Sequence, residues 1–185
     1  MGLRRTVVNR LLKSVLDIFC KIDNSELFDA LTKNGPLIMA INHINFLEVP
    51  IIATHNYPLY LTGLVKAETW NNPFFAFLCN TYRAIPIDRN GAFQGAFQRV
   101  RDAIQKGFFV VIAPEGTRSL NGVLGKGKPG IVQLAIDYNV PVLPVAHYGG
   151  EQIWSNVKRF RRTSLCFKAG RPFKIKFNGK PMEFV

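Results

Sequence analysis

The chain has 185 residues, of which 48% are hydrophobic and 19% charged, a composition that indicates one globular domain with its own core. Twenty-four Lys and Arg residues against 12 Asp and Glu give a formal net charge of +12, which favours anionic partners such as phosphates, nucleic acid or an anionic membrane surface. Three separated cysteines, Cys20, Cys79 and Cys166, argue against a disulfide framework and for a reducing compartment.

The sequence predicts neither a membrane-spanning helix nor a secretory signal. The most apolar stretch, residues 34–65, is interrupted by three prolines and several polar residues, which is typical of a buried α/β segment. Residues 1–21 are basic, but Asp17 interrupts their apolar part and no small-residue cleavage site follows. We expect a protein on the cytoplasmic side.

The first predicted element is a basic amphipathic helix. Apolar residues recur at helical spacing over residues 7–19, and cations surround them: Arg4, Arg5, Arg10, Lys13 and Lys21. Such a helix either packs on the core of its own domain or lies in a membrane interface, with its cations on anionic headgroups. The sequence leaves both alternatives open. We assign residues 1–30 to this N-terminal segment and residues 31–185 to the main domain.

From Pro36 onward, short apolar runs alternate with helical stretches. We predict strands at residues 37–41, 59–65, 84–87, 108–113 and 140–146, and helices at residues 46–53, 72–80, 91–106 and 130–138. This alternation predicts an α/β fold with a mostly parallel central sheet flanked by helices. In such folds, reactive groups gather at the carboxyl ends of the strands.

The strongest chemical signal lies at the end of the first of these strands, where Glu48 follows His43 by five residues. Residues five apart on one helix point roughly 140° away from each other, so the two meet only if His43 lies in a turn and Glu48 near the start of the next helix. The carboxylate then sets the tautomer of the imidazole, whose other nitrogen takes a proton from a hydroxyl. The alternative is a loop histidine bonded to backbone beside a solvated glutamate.

Two further polar segments follow predicted strands. The strand at residues 108–113 runs into Pro114-Glu115-Gly116-Thr117-Arg118-Ser119, in which Gly116 permits a tight turn and Arg118 offers donors suited to phosphate oxygens. A local ion pair between Glu115 and Arg118 that shapes the turn is the alternative. The strand at residues 84–87 similarly leads into Asp88 and Arg89.

The C-terminal region is strongly basic. Alternating apolar residues at 165–167 and 173–177 predict two strands that form a basic antiparallel edge of the sheet. This edge is either simply solvated or in contact with an anionic bilayer or an acidic carrier. No nucleic-acid-binding module accompanies the charge.

Other chemistries lack their motifs. Three histidines and three scattered cysteines have no metal-ligand spacing, and the chain contains neither a GxSxG elbow nor a P-loop. We therefore expect no metal, no cofactor and no covalent serine mechanism.

Four segments of the chain resemble, in the same order, the four sequence blocks of the glycerolipid acyltransferases. Within that family the resemblance is strongest to the branch that acylates 1-acylglycerol-3-phosphate. The four segments are Asn42-His43 with Glu48, residues 85–89, residues 114–119 and the proline-rich strand at residues 140–145. The resemblance covers residues 36–150. It implies an enzyme with a lysophospholipid acceptor and an acyl-CoA or acyl carrier protein donor. Separately, the amphipathic start and the basic surfaces predict peripheral binding to the membrane, and the separated cysteines favour its cytoplasmic face.

The resemblance also implies a role for each matching residue. His43 would be the general base that deprotonates the acceptor hydroxyl, and Glu48 would orient it. Glu115, Gly116, Thr117 and Arg118 match the family's Glu-Gly-Thr-Arg block, with Arg118 as a phosphate ligand. Arg89 would help to place the glycerol phosphate, and Lys66 stands where the family often has a basic phosphate contact. The proline-rich block would line the acyl site.

This chain departs from the family at two places: Glu48 replaces the usual Asp, and Tyr82-Arg83 replaces the usual Gly before the second block. Two other functions remain open for these reasons. One is acylation of a different lysolipid or an aminolipid, and the other is a non-catalytic, basic protein of lipid surfaces. The sequence does not indicate an oligomeric state.

Overall fold

The computed structural model describes residues 2–88, 94–119 and 122–176. Within these residues the chain forms helices α1 (Leu3–Phe19), α2 (Ser25–Lys33), α3 (Glu48–His55), α4 (Pro73–Tyr82), α5 (Gln94–Gln105), α6 (Gly130–Asp137) and α7 (Ile153–Lys158). Its strands are β1 (Cys20–Asp23), β2 (Ile38–Ile41), β3 (Leu61–Lys66), β4 (Ile85–Ile87), β5 (Phe109–Ile112), β6 (Val142–Tyr148) and β7 (Thr163–Ala169).

The described strands form one seven-stranded sheet in the order β1-β7-β6-β2-β5-β3-β4. Every neighbouring pair is parallel except β6 and β7, which are antiparallel. Strands β2 to β6 therefore all end at the same edge of the sheet. The predicted α/β fold with a mostly parallel, helix-flanked sheet is confirmed.

The central strands β2 and β5 are apolar, as is typical of a parallel sheet that is buried on both faces. Along β2, Met39 and Ile41 belong to the core on one face, with residues of α1, α2 and α3, whereas Ile38 belongs to the core on the other face, with residues of α5 and α6. The alternation follows from the two-residue period of a strand. Strand β2 is the middle strand of the seven and is covered on both faces.

The predicted basic C-terminal edge is only partly correct. Strand β7 pairs antiparallel with β6 as expected, but it is not an edge, because β1 pairs with its other side. The second predicted strand, at residues 173–177, is wrong as far as the chain is described: Phe173 makes a single antiparallel bridge to Val142. Residue 177 lies outside the described residues.

The N-terminal segment shares the core of the rest of the protein. Leu16 of α1 and Leu27 and Leu31 of α2 lie in the same buried cluster as the central strands. A domain boundary at residue 30 stays a prediction. None of the helices in the described ranges is both long enough and apolar enough to cross a bilayer.

Candidate active site

His43 and Glu48 meet at the carboxyl end of β2. His43 lies in the loop after the strand, and its Nδ1 is 2.7 Å from Oε2 of Glu48. The expected contact between the two side chains is therefore present. With Nδ1 engaged, Nε2 is the ring nitrogen left for a substrate, and a quarter of the side chain is exposed.

Glu48 reaches back to His43 from the first residue of α3. The helix begins at residue 48 and not at the predicted residue 46, because the preceding loop wraps around the carboxylate. The backbone N–H groups of Ile44 and Asn45 each donate to Oε1 of Glu48 at 2.5 Å. A carboxylate at a helix N-terminus is also favoured by the helix dipole.

The Glu48 carboxylate is ionised although it is only 4% exposed. Burial by itself would raise its pKa, but hydrogen bonds from His147, His43 and the backbone of Asn45 lower the pKa from 4.5 to about 2. A buried charge with this many donors is stable as an anion. The pair thus combines a fixed negative charge with an imidazole that has one nitrogen available.

The turn after β5 holds the backbone of His43 from both sides. Oε1 of Glu115 accepts the His43 backbone N–H at 2.8 Å, and the Ser119 N–H donates to the His43 carbonyl at 2.6 Å. The other Glu115 oxygen accepts the Gly125 N–H at 2.7 Å. Glu115 is 5% exposed, and its two oxygens are occupied by backbone donors, so it fixes the position of His43. No ion pair joins it to Arg118 in the described part of the chain.

The rest of this turn is accessible. Gly116 has a φ of +66°, which only glycine adopts readily, and the Lys128 side chain lies 3.2 Å from the position that a Cβ there would occupy. Thr117 and Arg118 are exposed. Among described residues, the Arg118 guanidinium has neither an ion-pair nor a hydrogen-bond partner, which leaves its donors available for an anion.

Lys66 lies at the same edge of the sheet. It is the last residue of β3, and it is exposed. Strand β5 separates β3 from β2, so Lys66 stands about 10 Å along the edge from the end of β2, two strand spacings away. Arg89, which would follow β4, lies outside the described residues.

Four polar side chains at the site were not predicted as site residues: Asn42, Asn45, His147 and Lys128. Asn42 bonds twice to the backbone of His147, and Asn45 donates to the Gly150 carbonyl at 3.2 Å. A signal for His147 was present, because it follows directly after the predicted strand at residues 140–146, at the edge where reactive groups gather. Lys128 has no comparable signal in a glycine-rich loop.

The arrangement suits proton abstraction by His43 beside an anion site. Within the described ranges, no group of three or more His, Cys, Asp and Glu side chains is arranged to hold a metal ion. The roles assigned to His43, Glu48, Lys66, Arg89 and the residues of the Glu115 turn stay predictions.

A family model described as acyltransferase matches residues 21–148. The chain is 36% identical over 97 residues to a 1-acyl-sn-glycerol-3-phosphate acyltransferase of Pseudomonas aeruginosa, covering 51% of this chain and 37% of that protein. It is 26% identical over 172 residues to the enzyme of the same name from Cocos nucifera, covering 91% of this chain and 54% of that protein.

The fold is also that of a solved structure. The crystal structure of the 1-acyl-sn-glycerophosphate acyltransferase from Thermotoga maritima superposes with a TM-score of 0.70, covers 95% of this chain and 71% of that one, and shares 19% sequence identity. The chain spans about a third to just over half the length of the two curated relatives, so the comparison with them concerns part of each protein.

Proposed function

The chain belongs to the acyltransferase family, and from that premise we propose that it transfers a fatty acyl group from acyl-CoA or acyl carrier protein to the free hydroxyl of 1-acylglycerol-3-phosphate, forming phosphatidate. The observation that carries this proposal is the 2.7 Å contact between His43 Nδ1 and Glu48 Oε2 at the carboxyl edge of the sheet. The two curated relatives above have names that state the same reaction.

In the proposed reaction, Nε2 of His43 takes the proton of the acceptor hydroxyl as its oxygen attacks the thioester carbonyl. The tetrahedral intermediate then expels the thiolate, which receives the proton from His43. Glu48 offsets the positive charge on the imidazole between these two steps. General-base assistance of this kind contributes roughly 10²- to 10⁴-fold in rate.

We assign the acceptor phosphate to the cations along the same edge. Arg118 is exposed and lacks a partner in the described part of the chain, Lys128 lies against Gly116 in the same turn, and Lys66 stands two strands from β2. Arg89 is a further candidate from its sequence position. A phosphate bound here would lie on the side of His43 that faces β5 and β3.

An aromatic row next to His43 offers apolar surface for the acyl chain. Phe46, three residues after the base, stacks on Trp154 at 5.7 Å between ring centroids and meets Phe75 edge-on at 6.1 Å. Phe75 in turn contacts Phe74, which is largely exposed on α4. Exposed aromatic clusters of this kind are typical of apolar ligand or membrane contacts.

We also propose that the protein binds peripherally to an anionic membrane surface, on its cytoplasmic face. Helix α1 exposes an apolar stripe whose members are Leu3, Val7, Leu11, Val15 and Ile18. At the start of α1, the Arg4 guanidinium lies 4.8 Å from the ring of Phe77, which is exposed on α4. The apolar stripe of α1 and the exposed aromatic residues of α4 therefore adjoin.

A thiol-release assay with the full chain tests the proposed reaction, run over a small matrix of acyl-CoA and acyl carrier protein donors and several acceptors. We expect release that depends on lysophosphatidate. Equal rates with phosphate-free acceptors would move the function to another lysolipid or an aminolipid. Vesicle binding without thiol release for any acceptor would identify a non-catalytic lipid-surface protein.

The phosphate assignment has its own test within this assay. Arg118→Ala removes charge-assisted hydrogen bonds to the acceptor, so we expect the KM for lysophosphatidate to rise about 10- to 100-fold. Arg99→Ala, which removes an exposed cation on α5, is the matched control and should leave KM unchanged. Equal KM values for both variants would exclude Arg118 as a phosphate ligand.

A further inference from the structure

A second imidazole contacts the carboxylate that orients His43. His147, in β6, is 3% exposed, and its Nε2 lies 3.2 Å from Oε1 of Glu48. His43 is bonded to the other oxygen of the same carboxylate. Glu48 therefore lies between two histidines, one partly exposed toward the substrate side and one buried.

The position of the His147 ring is built by its surroundings. The Asn42 side chain donates to the His147 carbonyl and accepts its backbone N–H, both at 2.8 Å. The ring stacks on Phe167 of β7 at 5.4 Å between centroids. A Cβ at Gly150 would come within 3.1 Å of Nε2, so glycine there leaves room for the imidazole. These contacts aim Nε2 at Glu48.

The His147 ring faces a hydrogen-bond acceptor at each nitrogen. Nδ1 lies 3.2 Å from Oδ1 of Asn42, whose orientation is set by its two bonds to the backbone. Nε2 is buried, and Oε1 of Glu48 lies 3.2 Å from it. A neutral imidazole has one N–H and can donate to only one of these two acceptors. An imidazole with a second proton could donate to both Asn42 and Glu48.

We propose that His147 is a positioning residue that shares the Glu48 carboxylate with His43 and thereby sets the pH range in which His43 acts as a base. This inference rests on the proposed function. A proton on Nε2 of His147 withdraws negative charge from Glu48, so the carboxylate stabilises a protonated His43 less. The imidazolium of His43 is then balanced by less negative charge than Glu48 alone would provide. Consistent with this, the contact with His147 lowers the pKa of Glu48, against the effect of burial.

The other charged groups near His147 are engaged elsewhere. Besides His43 and Glu48, the titratable residues on strand β7, which packs against His147, are Cys166 and Lys168. Those that follow His147 in the chain are Tyr148 and Glu151. Lys168 pairs with Glu26 of α2, and Glu151 accepts the Gly149 N–H at 3.1 Å. Cys166 and Tyr148 lie opposite each other in the β6–β7 register. Oε1 of Glu48 therefore remains the acceptor beside Nε2 of His147.

The first test is the pH dependence of kcat/KM in the thiol-release assay. His147→Ala removes the ring, and His147→Gln keeps a neutral N–H donor. We expect the acid limb to move to higher pH by about one unit in His147→Ala and by less in His147→Gln, with the acceptor KM unchanged. His55→Gln is the matched control, because it removes another histidine–carboxylate pair at the other end of α3, between the buried imidazole of His55 and the half-exposed Asp17. An unshifted acid limb in folded His147 variants would overturn the proposal.

The second test does not depend on activity or on a folded His147 variant. The chain has three histidines, so their ring nitrogen resonances can be assigned by NMR in ¹⁵N-labelled protein. Glu48→Gln should displace the resonances of His43 and His147 and leave those of His55 in place. Unmoved His147 resonances would overturn the coupling. If the NMR experiment shows this coupling but the wild type releases no thiol, the proposed function is contradicted, whereas the His147–Glu48 interaction is still supported.

Discussion

Glu48 reaches His43 from the first residue of α3, where the family usually has the shorter aspartate. The extra methylene lets the carboxylate fold back over the loop, where it accepts the N–H groups of Ile44 and Asn45 and still contacts Nδ1 of His43 at 2.7 Å. In this chain the longer side chain is therefore part of the geometry of the pair.

A change to the family's usual residue should consequently reduce activity. Glu48→Asp keeps the charge but withdraws the carboxylate from His43, and a misplacement of about 1 Å at a reacting centre costs up to about 100-fold. We expect kcat to fall about 10- to 100-fold with little change in KM. A wild-type or higher kcat for Glu48→Asp would show that the length of this side chain is unimportant.

The lowered pKa of Glu48 links its contacts to stability in acid. The folded-state pKa is about 2 against an ordinary value of 4.5, so the ionised carboxylate stabilises the fold above pH 4.5, and this contribution is lost as the pH falls toward 2. The shift corresponds to about 3 kcal/mol. Denaturant unfolding at a series of pH values should show the wild type losing about this much more than Glu48→Gln over that range. Parallel pH curves for the two proteins would contradict the assignment.

At the scale of elements, helix α1 packs one face on the protein and exposes the other. One face packs on the protein: Leu16 is buried, and Asn9 donates to the Thr54 carbonyl of α3 and accepts from the Tyr82 hydroxyl of α4. The opposite face is apolar and exposed, with Leu11 65% exposed. Removing the whole helix would therefore disturb the fold as well as the proposed membrane binding, and single substitutions separate the two.

Two substitutions in α1 should affect different properties, one vesicle binding and the other stability. Leu11→Gln removes an exposed apolar side chain, so we expect binding to anionic vesicles to fall about tenfold and stability to change by no more than about 0.5 kcal/mol. Leu16→Ala removes a buried one and should cost about 2–5 kcal/mol while vesicle binding is retained. Vesicle sedimentation and denaturant unfolding measure the two effects. Unchanged vesicle binding in Leu11→Gln would make the stripe an ordinary solvent-exposed surface.

The elements that the sequence predicted correctly are those with an apolar strand pattern or apolar residues at helical spacing. Strands β2 to β6 and helices α3 to α6 match their predictions to within a few residues. Strand β1, with the sequence Cys-Lys-Ile-Asp, is only four residues long and half charged, so it carries no strand pattern. Its pairing with β7 depends on the return of the C-terminal segment, which no local signal specifies. The edge prediction for β7 failed for the same reason.

Site contacts between residues close in sequence could be predicted, whereas those that depend on strand pairing could not. The His43–Glu48 contact is encoded within six residues by a strand, a turn and a helix start. Glu115 was identified, but its bonds to the His43 backbone N–H and to Gly125 depend on the pairing of β2 with β5. His147 acts across 99 residues of sequence from Glu48, and only the adjacency of β6 and β2 brings the two together.

At the scale of the whole molecule, apolar and basic surface features adjoin both ends of α1. The helix is about 25 Å long, with Phe77 of α4 beside its start. Near its end, Arg162 donates to the carbonyls of Asp17 and Cys20, which places the turn between α7 and β7 there. Phe160 is fully exposed in that turn, among Lys158, Arg159 and Arg161. An exposed aromatic residue among cations suits an anionic lipid surface.

The proposed reaction depends most on whether His43 is the base. The most direct measurement compares thiol release by the wild type and by His43→Ala, with acyl-CoA and lysophosphatidate and with thermal unfolding to verify the fold. The account predicts a loss of about 10²- to 10⁴-fold in kcat at an unchanged melting temperature. A folded His43→Ala protein that consumes the thioester at the wild-type rate would contradict it.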